Sequence, residues 1–67
     1  MNFGERLKTL RLSKNLTITK LAAMSQVTRL TISRIERRGE RPNLSTVLKL
    51  ASALGVEPSI LLGTQDD

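Results

Sequence analysis

The sequence predicts an all-α fold of five short helices, and three observations carry that prediction. Apolar residues recur three and four positions apart within short segments. An Asn, Thr or Pro suited to a helix start stands at the head of each segment. Gly39, Pro42 and Gly55 fall between the segments, where they interrupt the pattern. No stretch alternates apolar and polar residues for long enough to form a strand.

The first helix starts at Asn2, and Glu5 three residues later completes a capping box, each side chain meeting the other residue's free N–H. Phe3, Leu7 and Leu10 then share one face, and Lys14-Asn15 ends the helix. Thr17 caps a second helix whose apolar content is Leu21, Ala22 and Met24. Ser25-Gln26-Val27 reads as a turn. Thr28 caps a third helix, pinned inward by Ile32 and Ile35, and Gly39 and Pro42 break the pattern after it. Asn43 caps a fourth helix with an inner face of Leu44, Val47, Leu48, Ala51 and Leu54, closed by Gly55 as a left-handed cap. Pro58 opens a last helix, Ser59 to Leu62, at a position where its missing N–H costs little.

Sixty-seven residues make a single domain, 1–67, with a small core; chains of this size bury only about 60% of their unfolded surface. With no Cys and no His, neither disulfides nor a Cys/His metal site are expected, so apolar packing must hold the fold. The same absences remove thiolate nucleophiles and imidazole bases, and six scattered carboxylates do not compensate. The expectation is a non-enzyme without cofactor, metal or evident small-molecule ligand.

Charge is more informative. Eleven Lys/Arg against six Asp/Glu give +5. Residues 1–43 hold ten basic and three acidic side chains, a net +7, whereas residues 44–67 are net −2. A basic half beside a weakly acidic one suits a polyanion-binding face backed by a different surface. Phe3 is the only aromatic residue, so stacking on single-stranded bases is disfavoured and duplex DNA fits better. No apolar run approaches the roughly 20 residues of a membrane span, and Met1 to Leu10 is too charged for a signal peptide. No membrane partner is expected, and the expected location is cytoplasmic.

Residues 17–37 have the pattern of a helix-turn-helix. Leu21, Ala22, Val27, Ile32 and Ile35 fall where two crossing helices need apolar groups: Ala22 keeps the crossing close, Val27 plugs the turn, and the two isoleucines seat the second helix. That helix then turns Arg29, Leu30, Ser33 and Arg34 outward, toward a major groove about 12 Å wide. Arginine can grip guanine O6 and N7 with two parallel hydrogen bonds, worth about 1–3 kcal/mol of discrimination.

Several strings, taken together and in order, resemble the Cro/phage-repressor-type helix-turn-helix family (XRE family). They are Phe3-Gly-Glu-Arg-Leu-Lys-Thr-Leu-Arg11, Leu21-Ala22, Thr31-Ile-Ser-Arg-Ile-Glu36, Pro42-Asn-Leu44 and Leu50-Ala-Ser-Ala-Leu-Gly-Val56. The resemblance covers about residues 3–62. It implies a compact five-helix, lambda-repressor-like bundle whose second and third helices read DNA, in a dimeric, sequence-specific transcriptional regulator that is bacterial or phage-encoded and nucleoid-associated when bound. The short length resembles restriction–modification controller proteins and small phage repressors, which implies autoregulation.

By resemblance, Arg11 and Glu36 form a structural ion pair, and Thr28, Arg29, Leu30 and Arg34 stand where relatives meet base edges or flanking phosphates, Arg29, Leu30 and Arg34 being assigned to bases; Ser33, on the same outward face, is a further base-reading candidate. Leu30 either touches a thymine methyl or packs as core; the first is favoured because Ile32 and Ile35 already fill the inward face. Thr28 and Thr31 are phosphate candidates, and so are Thr17 and Lys20 at the second helix's start. Arg37, Arg38 and Arg41 are placed in a loop along the DNA backbone. Phosphate contacts set affinity and register without sequence information. Three departures stand out. Ile18 replaces a Gln that holds a phosphate in many relatives, Gln26 replaces a Gly, and Gly39 comes one step late. Gln26 would cost about 1–2 kcal/mol if the turn stays left-handed.

Ile60, Leu61 and Leu62 cannot all be buried by one helix face, Leu12 points away from its own helix's apolar face, and Leu50 sits at the edge of its face. Residues 50–62, with Leu50, Ile60, Leu61 and Leu62 in contact, are therefore expected to form a homodimer seam. A two-fold dimer sets its reading helices about one DNA turn apart, roughly 34 Å, on a near-palindromic operator. The polar tail 63–67 is expected to be loose. There is no room for a sensing domain, so either the protein responds through its own concentration or the chain is a DNA-binding piece of something longer. The alternatives are an antitoxin-type protein whose main partner is a toxin, with DNA binding secondary, and a nonspecific nucleoid-type binder.

Overall fold

Local hydrogen bonding decides where the helices of this protein begin. In the computed structural model, which describes residues 1–63, they are α1 (Phe3–Ser13), α2 (Ile18–Ser25), α3 (Arg29–Arg38), α4 (Leu44–Leu54) and α5 (Pro58–Leu62). There is no strand among the described residues. At α1 the Glu5 N–H donates to Asn2 Oδ1 at 2.9 Å and the Asn2 N–H donates to the Glu5 carboxylate at 3.0 Å, a complete capping box. The caps of α2, α3 and α4 are Thr17, Thr28 and Asn43, accepting from the N–H groups of Lys20, Thr31 and Thr46 at 3.0, 3.2 and 2.9 Å. Pro58 is the first residue of α5, which has no side-chain cap.

The turn between α2 and α3 keeps the left-handed geometry although its residue is Gln26, at φ 61°. A side chain there costs about 1–2 kcal/mol, part of which glycine would return through its larger unfolded-state entropy. Gln26→Gly is therefore expected to stabilise the protein by about 0.5–1 kcal/mol. A thermal melt checks this, and an unchanged or lower midpoint would show that Gln26 is held by something other than the turn.

The helices close a ring: α1 packs on α3 and α5, α2 on α3 and α4, and α4 on α5. Phe3, Leu7, Leu21, Val27, Ile32, Ile35, Val47, Leu50, Ala51, Leu54 and Leu61 fill its centre. Two close approaches hold the ring. A Cβ on Gly4 would lie 2.2 Å from the Ile35 carbonyl oxygen, so α1 rests directly on the α3 backbone because residue 4 has no side chain. Arg6 donates to the carbonyls of Leu61 at 2.6 Å, Leu62 at 3.0 Å and Met1, capping the α5 C-terminus where orphan carbonyls favour a cation. The sequence shows Arg6 only as one more basic residue.

The structure corrects the expected face of α4 and, with it, half of the expected seam. Leu44 and Leu48 are 66% and 48% exposed, while Leu50 is fully buried. Covered by α2 on one side and α5 on the other, α4 buries the stripe Val47, Leu50, Ala51 and Leu54. Leu61 is likewise fully buried, packed into the core from α5. Leu50 and Leu61 are therefore core residues and cannot meet a partner; Ile60 and Leu62 remain half-buried. Met24, expected to supply apolar content to α2, is 46% exposed, and Leu12 points outward as expected. Of the tail expected to be loose, Gly63 is the left-handed C-cap of α5 and residues 64–67 lie outside the described residues.

Candidate nucleic-acid interface

The helix that carries the candidate reading residues is braced from behind. Ile32 and Ile35 are buried in the core. Arg11 reaches across from α1 and donates through Nε and a terminal nitrogen to both Glu36 oxygens, at 2.8 and 2.9 Å. Its other terminal nitrogen donates to the Leu16 carbonyl at 2.7 Å. The two side chains are only 8% and 3% exposed, so this is a nearly buried, bidentate pair with its donors satisfied. Hydrogen bonding to Glu36 raises the Arg11 pKa above its ordinary value, burial opposes the rise, and the carboxylate charge adds to it.

The pair has an electrostatic consequence on the far side of the helix. Glu36 is the only acidic residue of α3, and its charge is turned inward and neutralised. What α3 turns outward is then Arg29, Leu30, Ser33, Arg34, Arg37 and Arg38, with no carboxylate among them. Leu30, Ser33, Arg34, Arg37 and Arg38 line one shallow depression, as residues three, four, seven and eight positions apart on a helix should. Arg29, in the first turn, is exposed but stands outside that lining.

The expected loop position of Arg37 and Arg38 is corrected here. Both belong to the last turn of α3, because the helix runs on to Arg38 and ends at Gly39, its left-handed cap at φ 70°. There their charges also complement the C-terminal end of the helix dipole. The signal was local: two arginines followed by a glycine is a helix-ending pattern in its own right. Arg41 does lie in the loop before α4, and is exposed.

The remaining phosphate candidates differ in what they have free. The Thr28 hydroxyl donates to Thr31 Oγ1 at 2.9 Å and accepts the Thr31 N–H, so it is committed to the cap. The Thr31 hydroxyl keeps its own proton to donate. At the head of α2, Thr17 Oγ1 accepts the Lys20 N–H at 3.0 Å and Lys20 itself is exposed, and the first N–H groups of a helix have no acceptor within it. Such a helix start suits an anionic oxygen without the side-chain amide that Ile18 lacks.

A family model described as helix-turn-helix matches residues 7–61. The immunity repressor protein of Bacillus phage phi105 is 35% identical over 65 residues, a match that covers 97% of this chain and 45% of that protein. The chain thus spans less than half of that relative's length. The crystal structure of the restriction-modification controller protein C.AhdI from Aeromonas hydrophila matches with a TM-score of 0.84 at 40% identity, covering 90% of this chain and 91% of that one. The P22 c2 repressor, solved in complex with a synthetic operator, matches with a TM-score of 0.85 at 32% identity over 98% of both chains. No helix among the described residues is long and apolar enough to cross a membrane. With the family match lying over a two-helix unit that is capped, braced and basic on its outer face, the chain belongs to the helix-turn-helix (XRE) family of DNA-binding transcriptional regulators.

Proposed function

We propose that the protein is a sequence-specific regulator of transcription that lays the outer face of α3 in the major groove of duplex DNA, acts as a homodimer on a near-palindromic operator, and controls its own expression. One observation carries the reading: α3 hides its only carboxylate in the Arg11 pair and presents Leu30, Ser33, Arg34, Arg37 and Arg38 around one depression. In this arrangement Arg29, Ser33 and Arg34 supply hydrogen bonds to base edges, and Leu30 an apolar contact. Thr17, Lys20, Thr31, Arg37, Arg38 and Arg41 hold the flanking phosphates. Thr28 contributes as the cap that orients the first turn. The dimer seam is reduced to Ile60 and Leu62, the members of the expected set that keep exposed surface.

Selection from a randomised duplex library at near-physiological salt tests this. The expected result is an inverted repeat with half-sites about one helical turn apart, accompanied by a dimer mass in solution. A single enriched half-site with a monomer mass would remove the dimer and keep the reading face. The variants then separate roles. Arg34→Ala is expected to cost about 1–3 kcal/mol and to relax preference at one position of each half-site. Arg41→Ala should weaken all duplexes alike and lower the salt slope by about one. Equal behaviour of the two variants would remove α3 from the role of reader.

A further inference from the structure

We infer that Arg6 is the positioning residue of the dimer: by fixing the last turn of α5 on α1 it holds the seam at one distance and angle from α3, and so decides which half-site spacing the operator must have. This rests on the dimeric reading proposed above. At five residues and without a side-chain cap, α5 is too short to hold its place alone. Leu61 anchors it in the core. Arg6 holds its end, donating from Nε to the Leu61 carbonyl at 2.6 Å and from one terminal nitrogen to the Leu62 carbonyl at 3.0 Å. The other terminal nitrogen donates to the Met1 carbonyl. Gly63 leaves room for this fork, since a Cβ there would stand 2.6 Å from the guanidinium carbon. With each nitrogen engaged inside the protein, the half-buried Arg6 side chain is committed to the fold rather than to a phosphate.

Both seam side chains lie against α1: Ile60 shares a depression with Arg6, Thr9 and Leu10, and Leu62 shares one with Phe3. The same helix grips α3 twice, through the contact of Gly4 with the Ile35 backbone and through the Arg11–Glu36 pair. Helix α1 is therefore a strut from seam to reading helix, fixed by directional hydrogen bonds and a backbone contact. The other route, through α4 and α2, relies on apolar packing, which is non-directional. In a two-fold dimer any slack between seam and α3 is doubled at the DNA, because each reading helix is placed by its own copy of the strut. A rigid strut makes the protein demanding about half-site spacing, and a loose one makes it tolerant.

The test uses the full chain with the selected operator, the same operator with a base pair added to or removed from its centre, and a single half-site. One base pair turns a half-site by about 34° around the duplex. Wild-type protein should lose about tenfold or more in affinity for the altered spacings, the cost of twisting the duplex back into register. Arg6→Met, which keeps the stem and removes the donors, should lose most of that discrimination while single-half-site affinity stays within about twofold. Arg6→Lys, with a cation still facing the two carbonyls, should recover part of it, and it carries the test if the methionine variant does not fold. A merely structural Arg6 would lower half-site and operator affinity together, and a phosphate contact would lower the salt slope by about one. Either result overturns the inference, as does unchanged spacing discrimination in both variants, and each leaves the dimeric reading standing. A monomeric wild-type protein bound to one half-site would overturn that reading and the inference with it.

Discussion

Replacing Glu36 with alanine is expected to destabilise the protein by about 3–5 kcal/mol, the usual cost of stranding one partner of a nearly buried pair. Arg11 would be left with its guanidinium held at Leu16 and its other donors facing the space that Glu36 vacates. A domain of 67 residues has on the order of 3–10 kcal/mol in all, so the variant should be largely unfolded at ambient temperature or melt tens of degrees lower. A circular-dichroism melt reads this directly. A loss below about 1 kcal/mol would mean that the pair behaves as an exposed one. The double variant Arg11→Met/Glu36→Leu should recover most of the loss, because it removes both charges together. It should nevertheless bind DNA less well, since the inward tether of α3 is gone. The sign of the pH dependence follows from the raised Arg11 pKa. A basic group raised on folding contributes stability that is complete below its unfolded value and is lost only as pH climbs through the folded one. On the arginine side the contribution is thus constant through neutral pH and declines only in strong alkali.

Leu50→Ala is the second large effect, at about 2–5 kcal/mol, because it opens a cavity beside a side chain with no exposed surface. Leu48→Ala, two residues earlier and half exposed, should stay within about 0.5 kcal/mol. Urea midpoints for the two variants give the comparison. Nearly equal losses would contradict the observed orientation of α4. A Leu50 variant that kept its stability but dissociated a dimer would restore this residue to the seam from which its burial removes it.

The two predictions mark where sequence reasoning succeeded and where it did not. Helix starts at Asn2, Thr17, Thr28 and Asn43, and the left-handed end at Gly55, are legible because a cap and the N–H it satisfies are three residues apart. The outward set on α3 is legible for a similar reason, once Ile32 and Ile35 define the opposite face. The Arg11–Glu36 pair, 25 residues apart, came only through family resemblance, as no local pattern links the two. The position of Arg37 and Arg38 in α3 was available from Gly39, and the resemblance obscured it by suggesting a loop.

Other features could not be read along the chain at all. The apolar residues of α4 are numerous enough to define two stripes, and which one is buried depends on α2 and α5 lying across it. Gly4 looks like an ordinary weak helix residue until the Ile35 carbonyl is seen beneath it. Arg6 looks like DNA-binding charge until it is seen holding the end of α5. By itself the sequence determined the five helices, their order and the outward face of α3, since each rests on residues within a few positions of one another, and the excess of positive charge follows from composition. Tertiary structure alone decided which leucines are core, which arginines are structural and how closely α1 may approach α3. Those outcomes depend on which groups meet across the core, and spacing along a helix carries no record of what lies opposite.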